Sequence, residues 1–130
     1  MTEQTAGRIN IALTGPAEIA KDGIRRKFPF DEGQQVIRLG LAYAIRCKLE
    51  PTRGPDFGKA GDGQNLNVGS FDPSGDLRAM VAALYPGGAD PYVTAETLMS
   101  LGLVRLWRDF QEGAVTSFAD LMYSSGPLSP

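Results

Sequence analysis

Arg8-Ile9-Asn10-Ile11-Ala12-Leu13-Thr14-Gly15-Pro16 is the stretch on which the fold turns. Its first six residues largely alternate, so Ile9, Ile11 and Leu13 share one face of an extended segment. Arg8, Asn10 and Ala12 take the other, which predicts a short strand with one buried side. Thr14-Gly15-Pro16 then reads as a helix start, with Pro16 in the first turn, where its missing N–H costs nothing. Ala17, Ala20, Ile24 and Phe28 follow at helical spacing. Arg25, Arg26 and Lys27 fall in the last turn, where positive charge suits a helix C-terminus, and Pro29 ends the run.

Outward from this unit, Asp31 is placed to cap a second helix running to about Leu49. Val36, Ile37, Leu39, Leu41, Ala44 and Ile45 wrap much of its cylinder, which makes it central to the core. Gly40 in its middle costs about 1 kcal/mol against alanine, so a close helix–helix approach is expected there. Residues 50–64 carry two prolines and four glycines with no apolar period, and read as a long loop. Such a loop is expected to be mobile in isolation and to order against a partner, because it buries too little to offset ~1–2 kcal/mol of backbone entropy per fixed residue. Phe57 stands alone within it, and either folds back onto the core or anchors another protein.

Asn65-Leu66-Asn67-Val68 alternates again as a second short strand. Asp72-Pro73 and Asp90-Pro91 each pair an N-cap with a first-turn proline. The helices they open carry Leu77, Met80, Val81 and Leu84, then Leu98, Leu101, Val104 and Trp107. Ser117 caps a last short helix with Phe118, Leu121 and Met122. Both halves therefore run strand, helix, helix, and both second helices contain Leu-Gly-Leu, at 39–41 and 101–103.

The chain of 130 residues is one domain's worth, with 42% hydrophobic and 22% charged residues, an ordinary globular balance. Residues 1–5 have neither the basic nor the apolar region of a signal peptide, and no run approaches ~18 apolar residues. The expectation is a cytoplasmic protein with no membrane contact. Cys47 is the single cysteine, set in an apolar helical run as a buried thiol. Histidine is absent, which excludes Ser-His-Asp and Cys-His pairs and histidine-ligated zinc or iron within the chain.

The remaining candidates for chemistry fall to their plainer readings. Gly54-Pro55-Asp56-Phe57-Gly58-Lys59-Ala60 is one residue short of a phosphate-binding loop and has Ala60 where Ser or Thr would meet magnesium. Asp56, Asp62, Asp72 and Asp76 do not have EF-hand spacing. Glu18 and Asp22 read as a solvated helix face, and Tyr43, Tyr85, Tyr92 and Tyr123 as packing residues. The expectation is a non-enzymatic protein with no metal and no cofactor.

Charge is divided: residues 1–50 carry a net +2 and residues 51–130 a net −4. A polyanion would therefore prefer the first half. Within it, residues 8–49, a lone strand, a helix of about a dozen residues, a tight turn and a second apolar helix, resemble the plan of the ribbon-helix-helix superfamily. The resemblance implies an antiparallel ribbon entering the major groove of double-stranded DNA, with two chains contributing a strand each. Arg8, Asn10 and Ala12 then stand at the base-reading positions, Arg and Asn being able to pair with guanine and adenine. Arg25, Arg26 and Lys27 are the candidate phosphate contacts. Asp31-Glu32-Gly33 departs from the family, since two carboxylates there repel a phosphate.

Asn65-Leu66-Asn67 before Gly75-Asp76-Leu77, with Leu101-Gly102-Leu103 after, is more distantly similar to the E subunits of DNA phosphorothioate-modification systems. That likeness implies a subunit of a DNA-modifying, phage-defence complex. The expected fold is mainly α with one or two short strands: a ribbon-helix-helix-like core over 1–49, the loop 50–64, a helical C-terminal extension over 65–123 and a tail at 124–130. Expected partners are double-stranded DNA, other protein subunits and further copies of the chain, with Phe57 as the candidate protein anchor. The alternatives are a protein–protein adaptor without DNA contact and, for the ribbon, pairing of Ile9–Leu13 with Leu66–Val68 inside one chain.

Overall fold

The computed structural model describes residues 10–28, 32–88, 90–115 and 117. In chain order they form β1 (Asn10–Ala12), α1 (Gly15–Lys27), α2 (Gly33–Arg46), β2 (Asn65–Asn67), α3 (Val68–Phe71), α4 (Asp76–Leu84) and α5 (Pro91–Gln111). The molecule is mainly helical with one two-stranded sheet, as the residue pattern predicts. Thr14 opens α1 by accepting a hydrogen bond from the Ala17 N–H at 3.3 Å, and Asp90 opens α5 through the Tyr92 N–H at 2.9 Å. Pro16 and Pro91 occupy the first turns.

Of the expected strand over residues 8–13, the described part runs over Asn10–Ala12 and stops short of Leu13, and it pairs without a second chain. β1 pairs antiparallel with β2, Asn10 opposite Asn67, Ile11 opposite Leu66 and Ala12 opposite Asn65. Ile11 and Leu66, at 1% and 2% exposure, form the inner face of this ribbon. Pairing within one chain is thus the arrangement found. It satisfies the backbone groups that a lone strand would leave open.

Below the ribbon, α2 and α5 cross at the two Leu-Gly-Leu triplets. A Cβ on Gly102 would lie 1.8 Å from the Gly40 carbonyl oxygen, and one on Gly40 would lie 2.5 Å from Leu103 Cγ. The backbones touch because neither residue has a side chain, as expected for Gly40. The two helices also end alike. At α2 the Leu49 N–H donates to Ala44 O and the Lys48 N–H to Ile45 O, around Lys48 at φ 57°. At α5 the Ala114 N–H donates to Asp109 O and the Gly113 N–H to Phe110 O, around Gly113 at φ 83°. Both are left-handed Schellman closures. The halves of the chain therefore meet strand to strand and α2 to α5, with the short α3 an element the sequence pattern did not predict.

Several boundaries differ from the sequence reading. Asp31 lies outside the described residues, and the N-cap of α2 is Glu32, whose N–H donates to Gln35 Oε1 at 3.2 Å. α2 stops at Arg46, because Lys48 turns left-handed. Asp72-Pro73 does not begin a helix directly: Asp72 ends α3, and α4 starts at Asp76 after Gly75 at φ 79°. Its carboxylate still serves α4, accepting the Leu77 and Arg78 N–H groups at 3.0 and 3.1 Å and the Tyr92 hydroxyl at 2.8 Å. The expected helix beginning at Ser117 lies outside the described residues beyond Ser117 itself.

Candidate nucleic-acid interface

The outer face of the ribbon carries Asn10 and Ala12 from β1 and Asn65 and Asn67 from β2, because directly opposed residues share a face. The three asparagines are exposed. Asn67 Oδ1 accepts the Ser70 N–H at 3.3 Å as the cap of α3, a bond that leaves its amide donors unused. Asn65 and Asn67 were not among the candidates read from sequence. Their alternation with Leu66 marks a strand but not the strand it joins.

Ala12 departs from expectation. It stands on the outward side of the pleat, yet it is 5% exposed. α5 lies along the free edge of β1 and takes its donors: the Ala12 N–H donates to Glu96 Oε2 at 2.8 Å and the Thr14 N–H to Ser100 Oγ at 3.3 Å. Glu96 and Ser100, one helical turn apart, stand in for a third strand. Ala12 is therefore part of a covered edge and cannot read a ligand through its methyl group.

The loop 50–64 closes over the same edge. Arg53 Nη2 meets Glu96 Oε1 at 2.9 Å, its Nε donates to Thr97 Oγ1 at 2.9 Å, and its guanidinium lies 5.0 Å from the Phe57 ring centre. Gly61 and Gly63 donate N–H groups to Leu13 O at 3.1 and 2.9 Å. The Gln64 N–H donates to Glu18 Oε1 at 2.7 Å. Phe57 is folded back, at 9% exposure, which leaves little of its ring as an anchor for a partner. Glu96 itself is fully buried. Its only mark in the sequence is an acid within the apolar first half of α5.

The basic triplet of α1 does not join this face. Arg8 lies outside the described residues. Arg25, Arg26 and Lys27 are exposed in the last turn of α1. α1 begins three residues after β1, so at 1.5 Å per residue the triplet stands roughly 15–18 Å farther along the helix than its start. Lys27 Nζ lies 5.8 Å from the Phe110 ring centre, beside the C-terminal part of α5. Ribbon and triplet therefore form two surfaces. At the start of α2, Glu32 is exposed.

Titratable groups in the interior are committed to structure. Tyr43 donates its hydroxyl to Asp109 Oδ2 at 2.6 Å, and burial together with that carboxylate raises its pKa far above the usual phenol value. Burial also pushes the Cys47 thiol up, which disfavours the reactive thiolate. Tyr92 is pushed up to about 12 by burial and by its bond to Asp72. Among the described residues no three His, Cys, Asp or Glu side chains come together as a metal site, and no helix is long and apolar enough to cross a membrane. Compared with protein-family models, curated proteins and solved structures, the chain gives no match.

Proposed function

We propose that this protein is a non-enzymatic, DNA-associated subunit of a DNA-modification, phage-defence or regulatory complex, and that it meets duplex DNA through the outer face of its ribbon. The observation that carries the reading is the set of three exposed carboxamides, Asn10, Asn65 and Asn67, on a two-stranded antiparallel ribbon. A ribbon of this width fits the major groove, and a carboxamide can pair bidentately with adenine, at about 1–3 kcal/mol of discrimination for each good pair. Among the described residues few cations flank the ribbon, so the affinity they contribute should depend only weakly on salt. Substituting Arg25 and Arg26 by alanine should leave that salt slope unchanged, since they stand apart from the ribbon.

A gel shift with random duplex at low salt tests the reading, because non-specific affinities lie near 10⁻⁴–10⁻⁶ M. Retarded duplex at about ten micromolar protein, weakened when Asn10 and Asn67 are both alanine, is the expected result. No shift would leave the second reading, a protein–protein adaptor. That reading draws on a groove of about 360 Å³ between α5 and the start of the loop, lined by Leu49, Thr52, Leu101 and Val104 among others. Val104 is 41% exposed there.

A further inference from the structure

Asn67 does two things at one point of the ribbon. It ends β2, and its Oδ1 accepts the Ser70 N–H at 3.3 Å as the cap of α3. A carboxamide bound in this way cannot turn over, because exchanging Oδ1 and Nδ2 would set an NH2 group against the Ser70 N–H. The oxygen is also tucked over the first turn of α3, where a Cβ added to Gly69 would stand 3.0 Å from it. α3 is itself held fast. Val68 and Phe71 are buried, and Arg38 donates Nη2 to Phe71 O while its guanidinium lies 4.1 Å from the Phe71 ring centre. The orientation of the Asn67 amide is therefore set before any ligand arrives, which lowers the cost of using it in binding.

Pairing along the ribbon places a second carboxamide beside it. The Ala12 N–H points away from β2, to Glu96, and the Leu13 N–H points toward it, to Gln64 O. Backbone groups point to alternate edges along a strand, so Asn10 shares the orientation of Ala12. Asn10 and Asn67 thus oppose each other as a non-hydrogen-bonded pair, the narrower kind, with Cα atoms about 4.5 Å apart and side chains closest. Of the exposed asparagines on the ribbon, only Asn67 has its oxygen engaged by a bond among the described residues, and its two Nδ2 donors meet no acceptor there.

That asymmetry decides what each can read. A carboxamide that reads adenine accepts from N6 with its oxygen and donates to N7 with its nitrogen. Asn10 and Asn65 keep both functions. Asn67 keeps only the donor, and guanine is the base whose major-groove edge offers two acceptors, N7 and O6. We propose that Asn67 is a donor-only reader that selects guanine on the ribbon face, beside adenine-reading Asn10 and Asn65. The proposal rests on the DNA reading above and adds the base to it.

Equilibrium binding of the full chain to a mixed-sequence duplex, at one low salt concentration, tests it against the same duplex with every guanine replaced by 7-deazaguanine. The replacement removes N7 and leaves the phosphate charge unchanged, so the ratio of the two affinities isolates base contact. The wild type should lose about fivefold or more, the low end of one good contact. Asn67→Asp keeps the oxygen that caps α3, and so a Tm within a few degrees of wild type, but has no donor. Its ratio should fall to about one, since the added charge weakens both duplexes alike. Asn67→Ser, an uncharged cap, should do the same if the aspartate binds too weakly to measure. A 7-deazaadenine duplex should weaken binding through Asn10 and Asn65, and that loss should survive in both variants. A wild type that binds the duplex but ignores 7-deazaguanine would overturn the proposal and leave the DNA reading standing. So would a guanine ratio unchanged in variants of native Tm. No binding to any duplex at about 100 µM protein would overturn the DNA reading, and this proposal with it.

Discussion

At Gly102 a single added methyl group has nowhere to go. The Gly40 carbonyl oxygen stands 1.8 Å from its ideal Cβ position, and backbone on both sides prevents a side-chain adjustment. Gly102→Ala should therefore destabilise the protein by about 3 kcal/mol or more in urea melts, despite the ~1 kcal/mol helix preference of alanine. Gly87→Ala, where a Cβ meets nothing within 4 Å, is the matched control and should be near neutral. Lys48 illustrates the opposite case. It closes α2 with φ 57°, a conformation in which glycine is at ease and lysine is not. Lys48→Gly should gain about 0.5–1 kcal/mol, the relief of strain exceeding the greater freedom of the unfolded chain. A third residue carries a pH signature. Burial raises the Asp72 carboxyl, but the Leu77 N–H, the Tyr92 hydroxyl, the Arg78 N–H and the Arg38 charge together outweigh it and hold the pKa below the usual value. Its stabilising contribution is complete above the unfolded carboxylate value near 3.9 and is lost as pH falls through the lower folded value. Asp72→Asn should cost about 1–3 kcal/mol at pH 7, and the gap from wild type should close as denaturation is followed into acid.

Elements begin where short-range chemistry says they should, and go astray where a distant residue decides. Thr14 with Pro16 and Asp90 with Pro91 mark the starts of α1 and α5 because a cap and a first-turn proline act within three residues. Gly40 announces a close approach, but its partner, 62 positions away, is signalled only by the repeated Leu-Gly-Leu. The alternation in β1 predicts a strand and is silent on whether the second strand comes from the same chain. The loop 50–64 reads as mobile from its glycines and prolines, since the contacts that fasten it are long-range and polar. The chief of these, Arg53 to Glu96, gives a test of the edge clasp. Arg53 is 39% exposed at its side chain and Glu96 is fully buried, so the two deletions are unequal. Arg53→Ala takes the guanidinium from a buried carboxylate that keeps the Ala12 N–H and should cost about 1–3 kcal/mol, whereas Glu96→Gln keeps an acceptor for that N–H and should cost less. Adding Glu96→Gln to Arg53→Ala should recover part of the loss in a double-mutant cycle. The sequence leaves Phe57 open between core and anchor for the same reason: the Arg53 guanidinium that covers it is held by Glu96, 43 positions beyond Arg53.

On the scale of the whole molecule, the two-stranded ribbon is closed within one chain. Its halves pair β1 with β2 and cross α2 over α5, and α2 and α5 finish in the same left-handed closure. This arrangement sets Asn10, Asn65 and Asn67 on one ribbon without a strand from a second chain. The functional reading therefore depends on the ribbon being closed within the chain. Cysteines at Asn10 and Asn67, which face each other across the ribbon, test this most directly, since antiparallel partners stand within the 4.4–6.8 Å Cα separation that a disulfide spans. Cys47 is buried and should not compete. After mild oxidation of Asn10→Cys/Asn67→Cys, the account predicts a disulfide-closed monomer on a non-reducing gel, formed at every protein concentration. A disulfide-linked dimer would show that the ribbon is built from two chains, and would contradict it.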